Sequence, residues 1–108
     1  MYRKLGTVEI QDQISVTRHL VDTYPYMDEK RTAIWGWSYG GFATAMALEQ
    51  DTGPDQVFSC GISVAPGTSW LLYNSIYTER HMGLPQDNTG GYNNSVIAGW
   101  EVDVLLSV

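Results

Sequence analysis

The sequence predicts an α/β chain built on a parallel sheet, and three observations carry that expectation. Two short apolar runs, residues 32–37 and 57–65, read as buried strands; a segment rich in helix formers separates them; and turn-forming residues close every link. Strand and helix alternating with short connections is the rhythm of crossover units, whose parallel sheet takes helices on both faces.

Along the chain, residues 8–21 carry Ile10, Ile14, Thr17 and Val21 at helical spacing, with Val16 and Leu20 widening the apolar stripe. Thr7 is the expected cap, and Glu9 and Asp12 put negative charge at the positive end of the helix dipole. Tyr24-Pro25 ends the helix, because proline disfavours helical backbone in the residue before it. Asp28-Glu29-Lys30 makes a polar link to the first strand. Ser38-Tyr39-Gly40-Gly41 then turns the chain, residues 42–50 form the next helix, and Asp51-Thr52-Gly53-Pro54 stops it. In residues 57–65 Cys60, Ile62 and Val64 alternate, and Pro66-Gly67 breaks the strand. Thr68 is placed to cap one further helix running to about Arg80. Beyond Met82 the pattern dissolves into the loop chemistry of Gly83-Leu84-Pro85 and Asn88-Thr89-Gly90-Gly91.

Composition narrows the function classes. The chain has 108 residues, 44% hydrophobic and 17% charged, a balance that excludes a disordered polymer. A net charge of −6 disfavours nucleic acid as a partner, which requires a basic patch. No run is long enough to cross a bilayer and no signal peptide opens the sequence. Cys60, the single cysteine, reads as a buried thiol in a strand. His19, Cys60 and His81 lie far apart without ligand spacing, so neither metal nor cofactor is expected.

Chemistry concentrates in Gly36-Trp37-Ser38-Tyr39-Gly40, a match to G-x-S-x-G. A serine hydroxyl attacks poorly unless a tight turn holds it out beside a base and an oxyanion hole. Such a pattern arises by chance in about one chain of this length in thirty, so the match alone is weak. Its context makes it strong: it sits at the end of an apolar strand and opens a helix, where a nucleophile elbow belongs. The strained backbone requires small flanking residues, which assigns a steric role to both Gly36 and Gly40. Helix amides and dipole then face developing negative charge, with the Tyr39 N–H as the expected oxyanion donor.

Trp35-Gly36-Trp37-Ser38-Tyr39-Gly40-Gly41 resembles the active-site serine motif of the prolyl oligopeptidase family, in its dipeptidyl peptidase IV branch. Leu5-Gly6-Thr7 with Asp12-Gln13-Ile14, Cys60-Gly61-Ile62-Ser63-Val64-Ala65-Pro66, and Tyr77-Thr78-Glu79-Arg80-His81-Met82-Gly83-Leu84-Pro85 resemble further segments of that branch, in the same order. The resemblance covers residues 3–97, and residues 98–108 form a divergent tail. It implies that residues 1–108 are part of an α/β-hydrolase catalytic domain, in a parent serine peptidase releasing N-terminal dipeptides with Pro or Ala second. Ser38 would carry the acyl group. Tyr39, Trp70, Tyr73 and Tyr77 would line the proline pocket. The last three stand at i, i+3 and i+7, which places them on one face of the expected helix. Stacking of a proline ring on aromatic faces suits that role. Gly67 stands where the family usually has valine, which enlarges the pocket floor.

The resemblance also implies what lies elsewhere: the triad aspartate and histidine beyond residue 108, a second oxyanion donor upstream, and a propeller domain holding the substrate amine. A peptide with a free N-terminus is the implied partner, and the parent is expected to be homodimeric, at the cell surface or secreted. Asn93-Asn94-Ser95 is a glycosylation sequon with Asn93 as acceptor, and Cys60 matches a cysteine that is paired in extracellular members. A triad of Ser38, Asp55 and His81 has the right chain order, but a helix of about thirteen residues would carry His81 about 18 Å along its axis. The chain alone is therefore expected to be inactive. A truncated product with at most a binding role, or an esterase or lipase on the same fold, are the competing readings.

Overall fold

The computed structural model describes residues 2–97, and the tail at 98–108 lies outside the described residues. Helix α1 spans Val8–Thr23, strand β1 Ala33–Trp37, helix α2 Tyr39–Gln50 and strand β2 Cys60–Val64. Helix α3 follows at Ser75–Met82 and the short α4 at Thr89–Asn93, with single 3-10 turns between. β1 and β2 pair in parallel, Ala33 opposite Cys60 through Trp37 opposite Val64, so the α/β class and the crossover helix are as the sequence predicts.

Thr7 flanks α1 without capping it. Its hydroxyl donates to the Lys4 carbonyl at 2.7 Å, while the Glu9 carboxylate accepts from the Gly6 and Thr7 N–H groups. Ile10 and Val21 are the buried positions of α1. Val16 does not join them: it stands 57% exposed, about 200° around the helix from Ile14. The chain from α2 to β2 is organised by Asp51, whose buried carboxylate accepts the Val57 N–H on both oxygens (3.0 and 2.9 Å) and the Phe58 N–H at 2.7 Å. That clasp turns Val57 and Phe58 into the core ahead of β2, which therefore starts at Cys60 rather than at 57.

α2 packs on both strands and α1 packs on α2. Gly61 and Ser63 face α2: a Cβ on Gly61 would meet Leu48, and the Ser63 hydroxyl donates to the Gly41 carbonyl at 2.8 Å. On the opposite face no helix covers the strands among the described residues. Trp35, Trp37 and Ile62 there are 62%, 64% and 61% exposed. Cys60 lies on that face and is exposed, which corrects its reading as a buried thiol.

The single helix expected from Thr68 to Arg80 is two elements. Trp70–Leu72 is a 3-10 turn, Tyr73 and Asn74 are extended, and the Asn74 side chain accepts the Tyr77 N–H at 3.0 Å to start α3 anew. An asparagine that caps more favourably than it continues a helix explains the break. The expected loop after Met82 is likewise structured. Asn88 caps α4 and ties Arg3 O and Met82 O together, Tyr92 is buried, and the Ser95 hydroxyl donates to Leu5 O. Residues 2–7 are thereby fastened across the end of α3.

Candidate active site

Ser38 sits between the last residue of β1 and the first of α2. Its backbone is at φ +57° and ψ −116°, a region that side-chain-bearing residues rarely enter. Such backbone costs of order 1–3 kcal/mol and persists only where neighbours impose it. Here they do: the Ser38 N–H donates to Val64 O at 2.9 Å, and Ser38 O accepts the Phe42 N–H at 3.0 Å. The side chain is exposed and its hydroxyl makes no hydrogen bond among the described residues. Helix geometry leaves the Tyr39, Gly40 and Gly41 N–H groups without an intrahelical acceptor. The serine thus stands beside a set of free donors on the positive end of α2.

Close approach makes the bend possible, at positions that only partly match the motif. A Cβ on Gly36 would run into the Gly40 carbonyl and stand 2.7 Å from Thr44 Oγ1. One on Gly41 would stand 2.7 Å from Val64 O. One on Gly40 would meet nothing within 4 Å, so the steric role expected of Gly40 belongs to Gly41. Ala65, at φ +45°, also has positive φ and leads the chain from β2 towards Gly67 and Trp70.

The four aromatic candidates do come together, by a different route from a helical stripe. Trp70 lies on the 3-10 turn, Tyr73 just after it and Tyr77 on α3. Trp70 stacks on Tyr77 with centroids 5.8 Å apart, meets Tyr73 edge-on at 5.5 Å, and lies 6.2 Å from Tyr39. Trp70 is the buried hub, also edge-on to Phe42 at 5.0 Å; Tyr39 and Tyr77 are half-buried and Tyr73 is exposed. The Gly67 Cβ direction points at the Trp70 indole, 3.4 Å away, so the missing side chain is missing from this cluster.

Tyr39 is anchored at both ends. Its amide opens α2, and its hydroxyl donates to Glu9 Oε1 at 3.1 Å. Burial, then the Glu9 carboxylate, hold the phenol well above the ordinary tyrosine range, so it remains a donor. Burial and Tyr73 raise Tyr77 as well. Glu9 figured in the sequence only as a dipole-favouring charge; its contact thirty residues away has no signature in spacing. A cavity of about 410 Å³ between α1, β1 and α2 is lined by Glu9, Gln13, Ile34, Trp35 and Tyr39. It does not include Ser38 or the other three rings, so the elbow, not cavity size, locates the site.

The other sequence candidates lie apart. His19 is exposed on α1. His81 lies in the last turn of α3 with its ring 4.7 Å from Tyr77, and α3 has eight residues instead of the longer helix expected. Asp55 is exposed in the loop beyond the far end of α2. Asn93 is exposed on α4. Among the described residues no cluster of His, Cys, Asp or Glu is arranged to hold a metal, and no helix is long and apolar enough to cross a membrane.

The family model of the prolyl oligopeptidase family matches residues 1–101. The venom dipeptidyl peptidase 4 of Vespa velutina is 60% identical over 100 residues, covering 91% of this chain and 13% of that protein. Dipeptidyl peptidase 4 of Bos taurus is 52% identical over 97 residues, covering 88% of this chain and 12% of its own length. The crystal structure of Porphyromonas gingivalis dipeptidyl peptidase 4 superposes with a TM-score of 0.76 at 44% identity, over 89% of this chain and 13% of the other. A family match across residues 1–101, with a relative 60% identical over 91% of this chain and a superposable solved structure, shows that the chain belongs to the prolyl oligopeptidase family, on an α/β-hydrolase fold.

Proposed function

We propose that this chain supplies the nucleophile segment of a serine peptidase that releases dipeptides from free N-termini, with Pro or Ala at the second position. The observation that carries the reading is the φ of +57° at Ser38, with the hydroxyl exposed at the N-terminus of α2. Ser38 Oγ attacks the scissile carbonyl, its proton passing to a base. The carbonyl carbon becomes tetrahedral, and the Tyr39 N–H helps to hold the oxyanion. Collapse expels the amine, and water then releases the dipeptide from the acyl-enzyme. Tyr39, Trp70, Tyr73 and Tyr77 form the wall that receives the second residue, whose apolar ring is favoured by aromatic faces.

Among the described residues the serine has no assembled partner: no histidine hydrogen-bonds to Ser38. The isolated chain is therefore proposed to be inactive, with the acid and base supplied by other chain. Exposure of Asn93 and Cys60 supports a secreted or cell-surface parent.

The test is a chimera in which residues 2–97 replace their counterpart in the Vespa velutina enzyme. Turnover of glycyl-prolyl-p-nitroanilide, reduced at least about a thousandfold by Ser38→Ala, is expected. An active Ser38→Ala chimera would overturn the assignment.

A further inference from the structure

We infer that Glu9 is a positioning residue for substrate selection, acting through Tyr39; this rests on the peptidase reading above. One Glu9 carboxylate gathers three donors. The Gly6 and Thr7 N–H groups approach from the loop before α1, and the Tyr39 hydroxyl from the first residue of α2. Two of these donors are backbone of a loop that is itself fixed. Gln50, at the other end of α2, donates to Gly6 O at 3.0 Å and accepts from Gln11 at 2.6 Å. The Cβ direction of Gly6 points at Phe42 and Met46, so the loop lies across α2 along its length. Glu9 is thus a rigid post, and Tyr39 is tied to it by its tip.

What the post controls is the ring. Between its amide and its hydroxyl, the Tyr39 ring meets Phe42 at 5.8 Å and Trp70 at 6.2 Å, both tilted; Trp70 is the hub that Tyr73 and Tyr77 surround. Without the tie, rotation about the side-chain bonds would carry this wall away from Trp70. Nothing else in the cluster restrains it by a hydrogen bond, since Trp70 Nε1 has no partner among the described residues. A flat proline ring uses a fixed wall in full and an alanine methyl uses little of it. Glu9 therefore sets the preference for Pro over Ala at the second position, more than it sets turnover.

The experiment uses the same chimera, with active sites counted by a serine-directed phosphonate. Glu9→Ala, Tyr39→Phe and the double variant are compared on glycyl-prolyl and glycyl-alanyl p-nitroanilides. Each single variant is expected to lower the Pro/Ala ratio of kcat/KM by about five- to tenfold, chiefly through KM, the size of one ordinary hydrogen bond's net contribution. The double variant should lower it no further than the worse single one. A purely structural role would reduce the number of active sites and leave the ratio unchanged. If Glu9→Ala yields no soluble enzyme, Tyr39→Phe decides alone, since it removes only the hydroxyl. A ratio within twofold of the parent for the soluble variants, or additive losses, overturns the inference. Persisting activity in Ser38→Ala would instead overturn the underlying reading.

Discussion

Replacing each glycine of the elbow by alanine separates the structural argument from the sequence motif. In the pattern, Gly36 and Gly40 are equivalent; in the structure they are opposites. A methyl on Gly36 collides with the Gly40 carbonyl and must retreat from 2.7 Å to at least 3.4 Å from Thr44 Oγ1. Both obstacles belong to α2, so the helix must move off β1. Overpacking of this kind costs about 1–3 kcal/mol where side chains can yield, and backbone against backbone puts Gly36→Ala at or above the upper end. Displacing α2 also displaces the Tyr39 N–H relative to Ser38, and a misplacement of about 1 Å costs about a hundredfold in rate. Gly40→Ala meets no atom within 4 Å and sits inside α2, where alanine is favoured over glycine by about 1 kcal/mol. Kinetics per titrated active site and thermal denaturation of the chimera measure both. Gly36→Ala should lose about a hundredfold in kcat/KM and melt earlier, while Gly40→Ala stays within about threefold and melts no earlier. Equal damage at both positions would refute the steric account of the elbow.

Asp51→Ala leaves two buried N–H groups unsatisfied at the entry to β2, and should lower the stability of the chimera by about 2–4 kcal/mol in denaturant titration. Gly67→Val adds a side chain in ordinary contact with Trp70, and should raise the Pro/Ala ratio of kcat/KM by about three- to tenfold. Tyr39, with its pKa raised in the fold, adds stability that is fully present below its ordinary value of 10 and is lost as pH rises beyond it. Tyr39→Phe should therefore flatten the loss of melting temperature between pH 9 and 11. The 108-residue chain alone should release no chromophore from glycyl-prolyl-p-nitroanilide above a Ser38→Ala control.

What the sequence reveals and what it hides divide along physical lines. The elbow was legible because its causes are local: an apolar strand, a serine, small residues and a helix-forming run, all within residues 33–50. Parallel pairing followed from the crossover rhythm. The break at Tyr73-Asn74 was hidden because helical spacing of Trp70, Tyr73 and Tyr77 looks the same whether or not one asparagine restarts the helix. Burial of Tyr92 and Ser95 depends on residues 2–7 folding over α3 and α4, a contact across nearly the whole chain that no local pattern records. Exposure of Cys60, Trp35 and Ile62 was hidden for the converse reason. An apolar alternation announces that a face is made for burial, not that anything in these residues covers it.

The elbow depends on contacts that run from α1 to β2. Left-handed backbone at Ser38 is unfavourable by itself, so something outside the strand–helix junction must hold it. From one side β2 does so: Val64 O takes the Ser38 N–H, and the Ser63 hydroxyl holds the Gly41 carbonyl. On the other side α1 holds the Tyr39 ring that follows the serine, through Glu9 and the Tyr39 hydroxyl. β2 in turn is brought into register by the Asp51 clasp, and Glu9 is fixed by the loop that Gln50 and Asn88 fasten. The contacts around the serine thus draw on several stretches of residues 3–88, and the strain at position 38 is a property of the packed unit rather than of the pentapeptide. Peptides carrying Gly36-Trp37-Ser38-Tyr39-Gly40 alone have no reason to hold it, whereas the pairing of β1 with β2 supplies the nearest one.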